Sequence, residues 1–79
     1  MTPEAAFGQV LQELRRDKRL SQQKLADAAD CHRTYVSLIE RGKFSPSINL
    51  VFRLAAALDL TPSQLLAKVE KQVQSREES

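Results

Sequence analysis

Tryptophan is absent from this chain, and cysteine, histidine, methionine and tyrosine occur once each. A single cysteine excludes an internal disulfide and supplies no metal framework, so a reducing, cytoplasmic setting is the default expectation. The lone histidine, His32, stands beside that cysteine, Cys31. Two ligands fall short of a zinc site, which takes four, or three plus water. No acid–base pair or nucleophile dyad is present either, so the chain reads as a protein without catalysis, cofactor or metal. Glycine and proline are scarce, at two and three residues, which favours helices over hairpins. No apolar run approaches the roughly 20 residues that cross a bilayer, and no signal-type segment opens the chain. A membrane partner is therefore not expected.

The length, 79 residues, allows one domain with one small core. The net charge is only +2, but its distribution is uneven. Between Arg15 and Lys43, eight basic side chains face four acidic ones, whereas the charges after Leu66 cancel. A basic segment of this kind is the electrostatic footprint expected for nucleic acid.

Hydrophobic spacing divides the chain into helices. Thr2-Pro3 is a hydroxyl cap followed by proline at the first helical position. Phe7, Val10, Leu11 and Leu14 then recur at i, i+3, i+4 and i+7, predicting a helix from Pro3 to Lys18. Gly8 inside it costs about 1 kcal/mol relative to alanine, which a close neighbouring backbone would explain. Ser21 caps a second helix, Gln22 to Ala29, and a third spans Arg33 to Arg41 and stops at Gly42. After the loop Lys43-Phe44-Ser45-Pro46, Ser47 restarts helix, with Ile48, Val51, Leu54, Ala55 and Leu58 as its expected core face. Thr61-Pro62 repeats the cap-plus-proline signature. The stripe Leu65, Leu66, Val69, Val73 carries the fifth helix to Gln74. The expected domain is thus residues 1–74, followed by a flexible tail at 75–79.

The second and third helices form the organising unit. Ala26, Asp30, Val36 and Ile39 supply a small residue at the crossing, a turn former four positions on, and branched apolar residues inside the next helix. That is helix-turn-helix spacing, which holds its second helix in a DNA major groove. Asp30 stands where glycine is common and tolerates the left-handed region better than most residues. Cys31 closes the turn as a small hydrophobe, read as an inert thiol.

Around Val36 and Ile39 the third helix divides by face. Thr34, Ser37, Leu38 and Arg41 point outward. Arg33, at the helix start, suits guanine, and Thr34 and Ser37 suit base edges. Thr34 or Leu38 can pack on a thymine methyl. Tyr35 either reaches DNA from the flank or covers the core edge. Gln22, Gln23 and His32 at helix starts, and Lys43, Ser45, Ser47 and Asn49 beyond the third helix, are candidate phosphate contacts. Glu40 lies beside the inward face and needs a partner, for which Arg15 is the best placed. Leu50 and Phe52 fall off the stripe of the fourth helix. With Leu66, Val69 and Val73 they are the candidate surface for a second copy of the chain, with Phe52 as local core cover the competing reading.

The combination Leu20-Ser21-Gln22, Val36-Ser37, Glu40-Arg41-Gly42, Pro46-Ser47 and Leu54-Ala55, spread over Phe7 to Leu66, resembles the Xre family of lambda-repressor-like regulators. The resemblance implies an all-α, five-helix domain that binds a palindromic double-stranded DNA operator as a homodimer. It implies a backbone contact at Gln22, base contacts at Arg33, Thr34, Ser37 and Leu38, and an internal ion pair between Arg15 and Glu40. Arg33-Thr34-Tyr35-Val36-Ser37 looks most like the small controller proteins of restriction–modification operons. Rival readings are an antitoxin, which would also bind a toxin protein, a phage-type repressor, and a protein-interaction domain without DNA binding. Asp30 and Cys31-His32 depart from the family pattern, which bears on the turn and on the cap of the third helix.

Overall fold

A computed structural model describes residues 1–78, with side chains through Ser75. Five helices follow in order: α1 (Pro3–Asp17), α2 (Gln22–Ala28), α3 (Arg33–Glu40), α4 (Ile48–Ala57) and α5 (Pro62–Glu78). Among the described residues there is no strand, and no single helix is long and apolar enough to cross a membrane.

Hydroxyl caps begin four of the helices. Thr2 accepts from the Ala5 amide at 3.1 Å, Ser21 from Lys24 at 3.0 Å, Ser47 from Leu50 at 3.1 Å and Thr61 from Gln64 at 3.1 Å. Gln64 reciprocates, its Oε1 accepting from the Thr61 amide at 2.9 Å, which completes a capping box. α3 differs: His32 occupies its cap position and makes no side-chain capping bond.

One device ends α1 to α4. The residues that leave these helices are Arg19, Asp30, Gly42 and Asp59, all at positive φ between 55° and 71°. Each is flanked by the same pair of hydrogen bonds; at the first turn Arg19 N donates to Arg16 O and Leu20 N to Arg15 O. This is the Schellman pattern, which satisfies carbonyls that would otherwise be orphaned at the helix end. Leu20, Cys31 and Leu60, just beyond three of these turns, pack against the core. Only one of the four positions is glycine. Asp30→Gly should therefore relieve left-handed strain and raise stability by about 0.5–1 kcal/mol, read as a higher urea midpoint. An unchanged or lower midpoint would mean that the Asp30 side chain itself supports the turn.

The core is built from Ala6, Phe7, Val10 and Leu11 of α1, Leu25 and Ala26 of α2, Val36 and Ile39 of α3, and Leu50, Leu54 and Ala55 of α4, closed by Leu58, Leu65 and Val69. α3 packs on α1 and α2, α4 on α2 and α5, and α5 back along α1.

Two expectations need correction. The inner face of α4 follows the expected stripe at Leu54, Ala55 and Leu58, with Val51 packed against the core, and departs from it only in the first turn. Ile48, at the first helical position, is 77% exposed, whereas Leu50 is only 5% exposed. Ile48 lies on the open side of α4 with Phe52, and Leu50 takes its place in the core. α5 also continues to Glu78, beyond Gln74 and into the expected tail. Ser79, the end of that tail, lies outside the described residues. Ahead of that extension α5 covers α1: Val69 is buried, Val73 is half-buried against the core, and Gln72 Nε2 donates to Gln9 Oε1 at 2.8 Å.

Candidate nucleic-acid interface

α3 is fastened at its C-terminal end by polar groups inside the protein. Arg15 Nε donates to Glu40 Oε2 at 2.6 Å, and a second guanidinium nitrogen donates to Oε1 at 3.0 Å. The remaining nitrogen of the fork donates to Leu20 O at 2.8 Å. Gln22 Nε2 adds a bond to Glu40 Oε1 at 3.0 Å. Both charged side chains are buried, Arg15 at 10% and Glu40 at 1% exposure. One carboxylate thus joins α1, the start of α2 and the end of α3, and no buried side-chain polar atom among the described residues lacks a partner. The hydrogen bond to Glu40 holds the Arg15 guanidinium above its ordinary value, against the opposing effect of burial. The pair's contribution from Arg15 is therefore complete at neutral pH and is lost only as pH rises through that raised value.

Gly8 makes the second fastening. A Cβ built on it would stand 2.3 Å from Ile39 O and 2.8 Å from Glu40 O. Glycine lets α1 approach the last carbonyls of α3 directly. At the exit of α3, Gly42 turns at φ 71° beside Ala5.

With that end buried, the opposite face of α3 is left to solvent. Arg33, Thr34 and Tyr35 are exposed, as is Arg41, and Ser37 and Leu38 are half-buried. Arg41 Nε points back to Ser37 O at 3.5 Å. Gln23 is exposed at the start of α2, where its amide donates to Asp27 at 2.9 Å. Gln22, its neighbour, is half-buried and has one N–H engaged with Glu40. Beyond α3, Lys43, Ser45, Ser47 and Asn49 are all exposed, with Ser47 engaged as the cap of α4. His32 is exposed at the cap of α3. Tyr35 stacks on Phe44 with ring centroids 5.2 Å apart and still leaves 42% of its surface open. Its ring covers Phe44 at the core edge, and its remaining surface is open to solvent.

The surface proposed for a second copy divides differently. Leu50 and Val69 belong to the protomer's own core and Val73 is half-buried against it, so these three are withdrawn from it. Phe52 and Leu66 remain, at 57% and 47% exposure, and Ile48 joins Phe52 one turn along α4.

Cys31 is half-buried against the core. Burial pushes its thiol up, the nearby Arg53 charge opposes this, and Asp30 adds to it. A thiol held protonated is a poor nucleophile, which fits a packing role. Among the described residues no cluster of potential metal ligands forms. Arg53 is the residue that sequence reasoning missed. From α4 its guanidinium donates to Asp30 O, at 3.2 Å, in the turn between α2 and α3. Periodicity reveals only that Arg53 is off the core stripe; its partner is a backbone carbonyl far away in sequence.

A short helix held firmly at one end, presenting Arg33, Thr34 and Ser37 outward and flanked by polar helix starts, defines a DNA-binding helix-turn-helix regulator. Comparison with known proteins places it further. The chain belongs to the Xre/Cro-like helix-turn-helix family, whose Helix-turn-helix description matches residues 11–65. It is 43% identical over 61 residues to Control protein C.BamHI of Bacillus amyloliquefaciens, covering 76% of this chain and 75% of that one. It is 40% identical over 67 residues to Control protein C.MunI of a Mycoplasma species, covering 84% and 90%. The crystal structure of the restriction-modification controller protein C.AhdI from Aeromonas hydrophila superposes with a TM-score of 0.75 at 44% identity, covering 77% of this chain and 92% of that one.

Proposed function

We propose that this protein is a controller-type transcriptional regulator that binds a palindromic operator as a homodimer, reading each half-site with α3. The observation that carries the reading is the division of α3 into a buried, clamped side and an open polar side. Similarity to the controller proteins of restriction–modification systems supports the subtype. In this reading Arg33 meets guanine O6 and N7, Thr34 and Ser37 meet base edges, and Leu38 or Thr34 packs on a thymine methyl. Gln22, Gln23, His32, Lys43, Ser45, Ser47 and Asn49 hold phosphates on either side of the groove, with Tyr35 and Arg41 on the flanks. Glu40 takes one N–H of Gln22, which orients the amide and leaves its other N–H for a phosphate oxygen.

Arg33→Ala tests the assignment. Affinity for the preferred duplex should fall by about 1–3 kcal/mol, with relaxed preference at one base pair. Equal losses on preferred and scrambled duplexes would remove Arg33 from the base readers.

Dimerisation is assigned to Ile48, Phe52 and Leu66, the three most open of the large apolar side chains among the described residues. Binding two half-sites in successive major grooves requires the two α3 helices to stand about 34 Å apart, one turn of DNA. Sedimentation should show concentration-dependent self-association, and a monomer at every concentration would exclude the homodimer. An antitoxin would direct the same apolar surface to a toxin protein, so a stable heteromeric complex on purification would replace the homodimer reading.

A further inference from the structure

The two ends of α3 are held very differently. Its C-terminal end is fixed by the buried Arg15–Glu40–Gln22 network and by the close approach of Gly8. Its N-terminal end carries Arg33 and Thr34, follows a turn strained at Asp30 (φ 55°), and begins at His32 without a side-chain cap. Among the described residues, one side-chain hydrogen bond reaches that turn from outside the α2–α3 unit, from Arg53 to the Asp30 carbonyl. Arg53 also lines the hollow that contains Ile48 and Phe52 on the open side of α4.

We infer that Arg53 is a positioning residue for the reading end of α3: by holding the Asp30 carbonyl it fixes the angle at which Arg33 and Thr34 leave the turn. The inference rests on the reading of α3 as the DNA-reading helix. A rigid reading end sharpens discrimination between sequences, because a misplaced guanidinium loses its bidentate geometry while phosphate contacts tolerate small shifts. Arg53 therefore governs the ratio of specific to non-specific affinity rather than the overall attraction to DNA. The link also connects the candidate self-association surface of α4 to the turn.

The experiment compares the wild-type chain with Arg53→Met, which keeps an apolar stem and removes the fork. The probes are a duplex recovered from a randomised pool with the wild-type protein and a scrambled duplex of equal length, each titrated over a range of salt. For Arg53→Met, affinity for the recovered duplex should fall about three- to tenfold, with the scrambled duplex and the salt slope little changed. Amide exchange at residues 31–35 should quicken, while the thermal midpoint stays close to wild type. Equal losses on both duplexes, with a salt slope smaller by about one, would make Arg53 a phosphate contact and overturn the inference. An unchanged affinity ratio would overturn it as well. Failure of the wild-type protein to enrich any duplex would instead sink the reading of α3, and this inference with it.

Discussion

Glu40→Ala should destabilise the protein by about 3–5 kcal/mol, because it strands a buried guanidinium rather than merely deleting a contact. Arg15 is buried and directs its fork at Glu40 and at the Leu20 carbonyl. Without the carboxylate, the first of these partners disappears and Gln22 loses its anchor. For a domain of this size, each kcal/mol shifts the midpoint by about 4–8 °C, so a fall of more than about 12 °C is expected. Arg15→Ala should act in the same direction, leaving Glu40 as the unpaired charge. The double variant Arg15→Met/Glu40→Leu should recover most of the loss, since apolar replacement of a whole buried pair is often neutral or better. Leu20 and Gln22 are only half-buried and can turn to water. Thermal melts of the three variants decide the matter. Single variants within about 1 kcal/mol of wild type would show that the pair behaves as a surface ion pair.

Gly8→Ala is the second large effect, and its direction runs against helix propensity. In an ordinary helix interior the change would gain about 1 kcal/mol. Here the new methyl would meet two backbone carbonyl oxygens of α3, at 2.3 and 2.8 Å. Neither oxygen can rotate away as a side chain would. Relief requires α1 and α3 to separate, and separation would pull on the Arg15–Glu40 pair in the same contact. We expect a net loss of about 3 kcal/mol, at the upper end of overpacking costs. A urea titration reads it directly. A variant as stable as wild type would show that α1 can slide off the end of α3 without cost. Because the clash lies at the fixed end of α3, affinity for DNA should weaken along with stability.

Much of this was legible in the chain. The caps at Thr2, Ser21, Ser47 and Thr61 are local signals, decided within four residues, and each makes its capping bond in the structure. The stripe of α1 and the inner positions Val36 and Ile39 follow from helical period and face the core. Glu40 beside an apolar face was readable as a group in need of a partner, and Arg15 supplies it. Less legible was α4, which is apolar on more than one side. Period alone cannot tell its core face from an open one, so Ile48 and Leu50 were exchanged. In α5 the stripe alone does not say whether Val69 and Val73 meet this chain or a second copy, and the structure lays them against this chain's core.

The sequence by itself determined the number of helices, where they start, and the helix-turn-helix unit, since those depend on local hydrogen bonding and on a period of 3.6 residues. Tertiary structure alone decided that Leu50 rather than Ile48 completes the inner face of α4. It alone decided that Gly8 is a contact rather than a flaw, and that Arg53 reaches the Asp30 carbonyl. These depend on distances between segments far apart in the chain. Such distances are set by how five short helices share one small core, and no local pattern encodes them.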